Sequence, residues 1–301
     1  MRDFKSFAPI LAIALAAILW GFDGVVLTPR LFNLNVSFVV FLFHLVPFIL
    51  MQQFFYKSYH EAMSFTKKEW AHLGLIALLG GALGTLAIVQ ALFLVHFSQL
   101  SVVILLQKLQ PVFAILLARI FLHEKPKRIF YLFAMTAIIG SYILAFGFGL
   151  PNFASGEQTV TAALFSLFAA FCFGSGTVLG KSALNSVSFQ SATFFRFGLT
   201  ALIMLVITAA TGTIAFQTVT VQNWMMILLI AVTTGGGAIF IYYWGLRRVK
   251  ASVSTIVELL FPLSAIFFDF VVNKSVLTPV QWFGTAILLL SIIAIAQFVE
   301  Q

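Results

Sequence analysis

The sequence predicts an all-α membrane protein, with ten transmembrane helices arranged as two inverted five-helix repeats. Three observations predict it. Of the 301 residues, 61% are hydrophobic and 9% charged, against roughly 25% charged in a soluble domain. Most side chains must therefore face lipid or other apolar helices. The apolar residues fall in ten runs, each of about 20 residues and able to cross a bilayer core of roughly 30 Å. Finally, Ser101 to Pro111 recurs without a gap as Ser252 to Pro262, every matched position 151 residues downstream. Self-similarity at a fixed offset is the mark of an internal repeat.

In order, the runs are 8–28, 36–56, 70–92, 98–119 and 129–148, then 160–180, 189–209, 224–246, 252–272 and 280–299. The first repeat takes residues 1–148 and the second 160–301, with a linker at 149–159 marked by Pro151, Asn152 and Gly156. Met1 to Lys5 precedes a run too long for a signal-peptide core and without a small-residue cleavage site, so an uncleaved first helix is expected. The longest connections are Lys57 to Glu69 and Gly149 to Thr159.

Charge sets the orientation. With the N-terminus cytoplasmic, thirteen Lys and Arg fall on the inner side, and Arg30 and Lys274 on the outer side. Both termini are then expected in the cytoplasm of a cell with the protein in its inner, or plasma, membrane. Five helices per half is an odd number, so the second half should be inverted, and matched loops should exchange charge. They do: His96 to Gln99 corresponds to the basic Arg247 to Lys250, and Glu124 to Arg128 to the uncharged Ser275 to Pro279. Inverted repeats place a substrate site near the midplane and support alternating access.

Composition also excludes. Net charge is +8, but the basic residues lie in short loops between apolar runs, which argues against nucleic acid as a partner. Cys172 is the only cysteine, so an internal disulfide and a cysteine-based metal site are excluded. No GxSxG, HExxH, paired acidic motif or cysteine–histidine pair occurs, and the His residues have no metal spacing. No catalytic residues, metal or cofactor are expected. Nothing resembles a filter loop or charged ring, which disfavours a channel.

Two charges remain inside the apolar runs with a proline close by: Lys108 before Pro111 and Glu258 before Pro262. A central charge costs about 2.5–3.5 kcal/mol on insertion scales, and intramembrane ionisable residues are functional by default. From the ends of their runs both fall near the midplane, at depths of about 10–15 Å at 1.5 Å per residue. They can form an ion pair, or bind the carboxylate and ammonium of a zwitterion. Pro111 and Pro262 are expected to kink their helices. His44 and Asp23, with Glu258, are candidates for proton coupling. Arg196 can bind an anionic group or hold an acidic partner such as Glu258. Trp20, Tyr242 and Trp244 can wall an aromatic cage, with Tyr243 expected toward lipid. Gln107 can hydrogen-bond substrate or act as amide glue between helices. The runs Gly80 to Thr85, Gly174 to Thr177 and Thr233 to Gly237 allow close helix approach or hinge points.

Further residues carry a resemblance: Trp20-Gly21 and Phe173-Gly174 late in the first and sixth runs, Arg196 after Phe194-Phe195, Pro111 and Pro262, Leu122-His123-Glu124-Lys125, and Trp282-Phe283-Gly284. As a set, over nearly the whole chain, these resemble the EamA type of the drug/metabolite transporter superfamily. The resemblance implies a facilitated or proton-coupled carrier, often an exporter, of amino acids, their derivatives or other small metabolites. Phe43-His44 stands in the first repeat where the second has Arg196, and the family pattern does not demand Lys108. Together these readings favour an exporter of an amino acid or related zwitterion, working as a monomer or weak homodimer. A flippase for lipids or lipid-linked sugars, or a drug or quaternary-amine carrier, shares the same fold.

Overall fold

A spanning segment must satisfy its backbone polar groups internally, which leaves a chain this apolar only helices or a closed barrel. The computed structural model describes residues 4–95, 103, 106–149, 157–274, 276 and 278–298, and no strand occurs among them. Eight helices among these residues are long and apolar enough to cross a membrane. The shorter apolar helices Gln110–Phe121 and Arg128–Leu144 stand at the fourth and fifth expected runs. The Ser101 end of the sequence repeat, the 96–99 connection and the linker residues 150–156 lie outside the described residues.

Helix α1 (Phe4–Phe22) continues through a π-helical turn, Asp23–Leu27, and a 3-10 turn, Thr28–Leu31. Helix α2 (Val36–Phe55) and the short α3 (Lys57–Ala62) follow. Helices α4 (Lys67–Leu75) and α5 (Gly84–Leu94) form one rod through the π-helical stretch Ile76–Leu83. Next come α6 (Gln110–Phe121) and α7 (Arg128–Phe146). The second half starts with α8 (Glu157–Ala183) and α9 (Phe189–Ala210). Helices α10 (Val221–Ile230) and α11 (Gly236–Leu246) flank a π-helical turn, Ala231–Gly235. Helices α12 (Ala251–Val257), α13 (Leu260–Asn273) and α14 (Pro279–Phe298) complete the chain.

The continuous helix expected over 252–272 is broken, and so is the described part of 98–119. The breaks are turns at Lys108-Leu109 and Glu258-Leu259. Pro111 and Pro262 lack the N–H that would bond the carbonyls of Gln107 and Glu258, four residues back. The Glu258 carbonyl instead accepts from Phe261 N at 3.0 Å in a tight turn. The π-helical turns work similarly. Gly84 N bonds Leu79 O rather than the carbonyl four residues back, which leaves Gly80 O available to a side chain.

The two halves interlock. The α1 rod packs on α11 and α13, the π stretch 76–83 and α6 pack on α8, α2 packs on α9, and α7 packs on α14. Exchanging each helix for its counterpart in the other half maps this set of contacts onto itself, as a two-fold relation between repeats requires. Close approach is built from glycine. A Cβ on Gly21 would lie 2.7 Å from Ala265 N, and one on its counterpart Gly174 would lie 3.0 Å from Ala114 N, 151 residues before Ala265. At the α7–α14 seam, a Cβ on Gly284 would meet Leu144 N at 2.5 Å and Gly140 O at 2.9 Å.

Two carboxylates from the first half cap helices of the second. Glu61 in α3 accepts from Ser188 N at 2.8 Å, from Ser188 Oγ at 2.6 Å and from Ser191 Oγ at the start of α9. Glu124 accepts from Ala251 N at 2.8 Å, Ser252 N at 3.1 Å and Ser252 Oγ at 2.6 Å at the start of α12. Each satisfies N–H groups that a helix start leaves unpaired, and places negative charge at the positive end of the helix dipole. At the other end of the bundle a matching contact among the described residues is neutral. The side-chain amides of Asn33 and Asn223 bond reciprocally at 3.1 and 3.0 Å, and Asn223 Nδ2 also donates to Arg30 O at 3.2 Å.

Burial alone would raise the Glu61 carboxyl, but the hydrogen bonds from Ser188 and Ser191 outweigh it and hold the group below its ordinary value. A carboxylate depressed in this way stabilises the fold above its unfolded pKa and loses that contribution as pH falls through the folded one. Thermal unfolding of wild type and Glu61→Gln in detergent should therefore differ at neutral pH and converge on acidification. Gly284→Val should lower the melting temperature by overpacking, at a cost of about 1–3 kcal/mol.

Candidate functional site

Charged groups inside such a bundle need partners or a cavity, and the structure provides both. A cavity of about 250 Å³ lies between the halves, lined by the α1, α2, α4–α5 and α6 segments of the first and the α8, α9, α10–α11 and α12–α13 segments of the second. Helices α7 and α14 contribute no lining residue among those described. Of the residues singled out in the sequence, Trp20, Asp23, His44, Gln107, Lys108, Arg196, Tyr242, Glu258, Pro111 and Pro262 all reach it. The broken helices explain how: the turns at 108–109 and 258–259 carry Lys108 and Glu258 into the cavity wall.

Glu258 is held by neutral donors. Gln110 Nε2 donates to it at 2.6 Å, Tyr242 Oη at 2.8 Å and Ser254 Oγ at 3.1 Å. Because the Tyr242 proton goes to the carboxylate, its oxygen accepts from Thr177 Oγ1 at 3.0 Å. This fixes the Tyr242 ring, which stands 5.3 Å from Trp20 at 58° and makes an aromatic corner. The Lys108–Glu258 ion pair is not formed: Lys108 is 6% exposed and its Nζ is buried with no hydrogen-bond partner among the described residues. The two charges share a cavity without touching.

Arg196 does not hold Glu258 either. Its Nη1 donates to Tyr243 Oη at 3.0 Å and its Nη2 to Gly80 O at 2.9 Å, the carbonyl released by the π-helical stretch. It ties three elements together, α9, the 76–83 stretch and α11, and is a structural tether on the cavity wall. Tyr243 is accordingly fully buried rather than turned to lipid. The guanidinium needs its hydroxyl. Trp244 is absent from the cavity lining. Its ring lies under the Arg248 guanidinium at 4.2 Å, and its carbonyl accepts from Arg248 Nη1 at 2.6 Å, so it belongs to the end of α11.

His44 packs on Phe197 at 5.5 Å, and its Nδ1 lies 2.8 Å from Val40 O. A carbonyl only accepts, so the ring proton sits on Nδ1. Asp23, opening a π-helical turn, accepts from Thr28 Oγ1 at 3.0 Å. The sequence reading missed Ser254, Thr177, Thr255, Phe173 and Phe197. Ser254 was findable, one helical turn before Glu258 and so on the same face. Thr177 and Phe197 touch the site only through helix packing, which no local pattern records.

A helical bundle of paired repeats around a cavity into which charged side chains turn has the architecture of a membrane transporter. The chain belongs to the EamA-like transporter family, whose model matches residues 7–146 and 160–297, one match per repeat. It is 49% identical over 289 residues to the riboflavin transporter ImpX of Fusobacterium nucleatum subsp. nucleatum, covering 95% of this chain and 97% of that protein. A solved crystal structure superposes with a TM-score of 0.70 over 96% of both chains at 14% identity, which shows the shared fold.

Arg196→Met should leave Gly80 O and the Tyr243 hydroxyl without a donor, at about 1–3 kcal/mol for each buried orphan. Thermal unfolding in detergent should show a clear loss of stability, and Arg196→Lys a partial one.

Proposed function

We propose that the chain is an alternating-access carrier of riboflavin or a closely related flavin. The observation that carries the reading is the 49% identity to a riboflavin transporter along nearly the whole of both chains. The cavity supports it. Trp20 and Tyr242 offer ring faces for stacking a planar heterocycle, and Phe43, Phe173 and Phe197 line the remainder with apolar surface. Its volume of about 250 Å³ is near the lower bound of about 300 Å³ for small-molecule pockets, so a ring system would fill it. A zwitterionic amino acid is the second reading, favoured by Lys108 and Glu258 sharing one cavity.

The conformation fits a carrier closed at one end. The cavity lining extends from the midplane toward Thr28 and Leu92, whereas Glu61 and Glu124 clamp the halves together at the other end. With both termini cytoplasmic in the plasma membrane, as the basic loops favour, this is an outward-facing state. Gradients set the direction of net flux in such a carrier, and export requires only that the inside concentration be higher. His44, Asp23 and Glu258 line the same cavity, which supports the proton-coupling reading.

Purified protein in liposomes should bind riboflavin and exchange it in saturable counterflow. Absence of both binding and exchange would remove the flavin reading, and saturable exchange of an amino acid in its place would establish the second one. An imposed pH gradient should accelerate riboflavin flux, and equal flux with and without it would leave facilitated diffusion. Replacing both clamp carboxylates, Glu61→Gln with Glu124→Gln, should raise labelling from the cytoplasmic side of a cysteine placed at Thr177.

A further inference from the structure

Polar side chains buried in a protein are almost always partnered, and each exception calls for a physical reason. Here the exceptions gather at the cavity. Lys108 Nζ, Thr234 Oγ1, Thr255 Oγ1 and Arg196 Nε are all buried without a hydrogen-bond partner among the described residues, and all four residues line it, while the remaining one, Ser141 Oγ, lies elsewhere. Lysine and arginine nitrogens donate only, and the threonine hydroxyl can donate. Glu258 already accepts from Gln110, Tyr242 and Ser254, and Asp23 from Thr28. The buried side-chain atoms left unpartnered in the wall can therefore all donate. An ammonium-bearing ligand would compete with three protein donors at Glu258 and would face the Lys108 cation as well.

We propose that Lys108, assisted by Thr255, is the specificity determinant of this site: its ammonium donates to the carbonyl acceptors on the dione edge of a flat heterocycle, so the cavity selects acceptor-rich rings over amines. Glu258 is a positioning residue. It holds the Tyr242 hydroxyl and so the ring face that stacks against the ligand. This inference rests on the flavin reading and deepens it. A site that must bind hydrogen-bond acceptors leaves its own donors unpaired when given an apolar or cationic analogue, which is the strongest form of discrimination available to a pocket.

The test uses full-length protein in detergent, with binding read by quenching of ligand fluorescence. The ligands are riboflavin, lumichrome and tryptamine; lumichrome keeps the dione edge but lacks the ribityl chain, and tryptamine is an aromatic amine. Wild type should bind riboflavin and lumichrome and bind tryptamine at least 10-fold more weakly. Lys108→Met should weaken riboflavin and lumichrome alike by about 10- to 100-fold, the range for a lost charged hydrogen bond. Thr255→Val should weaken both by about 3- to 10-fold. Without ligand, Lys108→Met should melt at a higher temperature than wild type, because it removes an unpartnered buried charge. A purely structural lysine would give the opposite shift. Unchanged lumichrome binding in Lys108→Met overturns the proposal. A loss confined to riboflavin overturns it too, by moving the contact to the ribityl chain. Wild type binding tryptamine as tightly as lumichrome overturns the selectivity. Wild type binding neither flavin nor lumichrome removes the flavin reading itself, and the proposal with it.

Discussion

A charge inside this bundle is largely removed from bulk water, and the arrangement around the cavity follows from how protein groups replace that hydration. The Glu258 carboxylate takes an amide and two hydroxyls. The Arg196 guanidinium takes a tyrosine hydroxyl and a main-chain carbonyl. That carbonyl exists only because the 76–83 stretch is π-helical and shifts the hydrogen bond of Gly84 to Leu79. Backbone irregularity here therefore supplies ligands. At membrane depth such irregularity is tolerated only where it faces protein or a cavity, and both broken helices and all three π-helical turns are found beside this one.

The same constraint separates the two tyrosines at the cavity end of α11. Tyr242 passes its proton to Glu258 and receives one from Thr177, so its ring is fixed at the wall. Tyr243, one residue on, accepts from Arg196 and is buried behind it. Adjacent residues on a helix point about 100° apart, yet both are inside because two different charges require them. Lys108 is the exception, a donor with no acceptor among the described residues.

Much of this could be read in the chain itself. The 151-residue offset locates two breaks, since a proline close to a charge interrupts both the hydrogen-bond ladder and the apolar surface of a spanning helix. Lys108, Glu258, Trp20, Tyr242, His44 and Asp23 all reach the cavity. What could not be read was pairing. Opposite charges at similar depth suggest an ion pair, but the rotation of each broken helix decides whether they meet, and Glu258 is served by Gln110, two residues past Lys108. Tyr243 reads as lipid-facing because it lies on a different helical face from Tyr242, but Arg196 needs its hydroxyl. Trp244 reads as a wall residue until the helical rotation carries it to Arg248. Rotation and partner choice are properties of packing between halves, and periodicity along one helix contains neither.

The repeat also relates the two ends of the bundle. Exchanging the halves carries the Glu61–Ser188 contact, between the second and sixth interhelix connections, onto the contact between Asn223 and the Asn33 segment at the opposite end. Matched contacts of this kind hold opposite ends of the bundle together, so their relative strength bears on which end is closed. They are not equal. Glu61 presents a full negative charge to a helix start, where hydrogen bonds to charged groups contribute about 1.5–3 kcal/mol, while a neutral amide pair contributes about 0.5–1.5 kcal/mol. Glu124 adds a second charged clamp at the same end. Of the two matched contacts the charged one is the stronger, which favours closure at the Glu61 end.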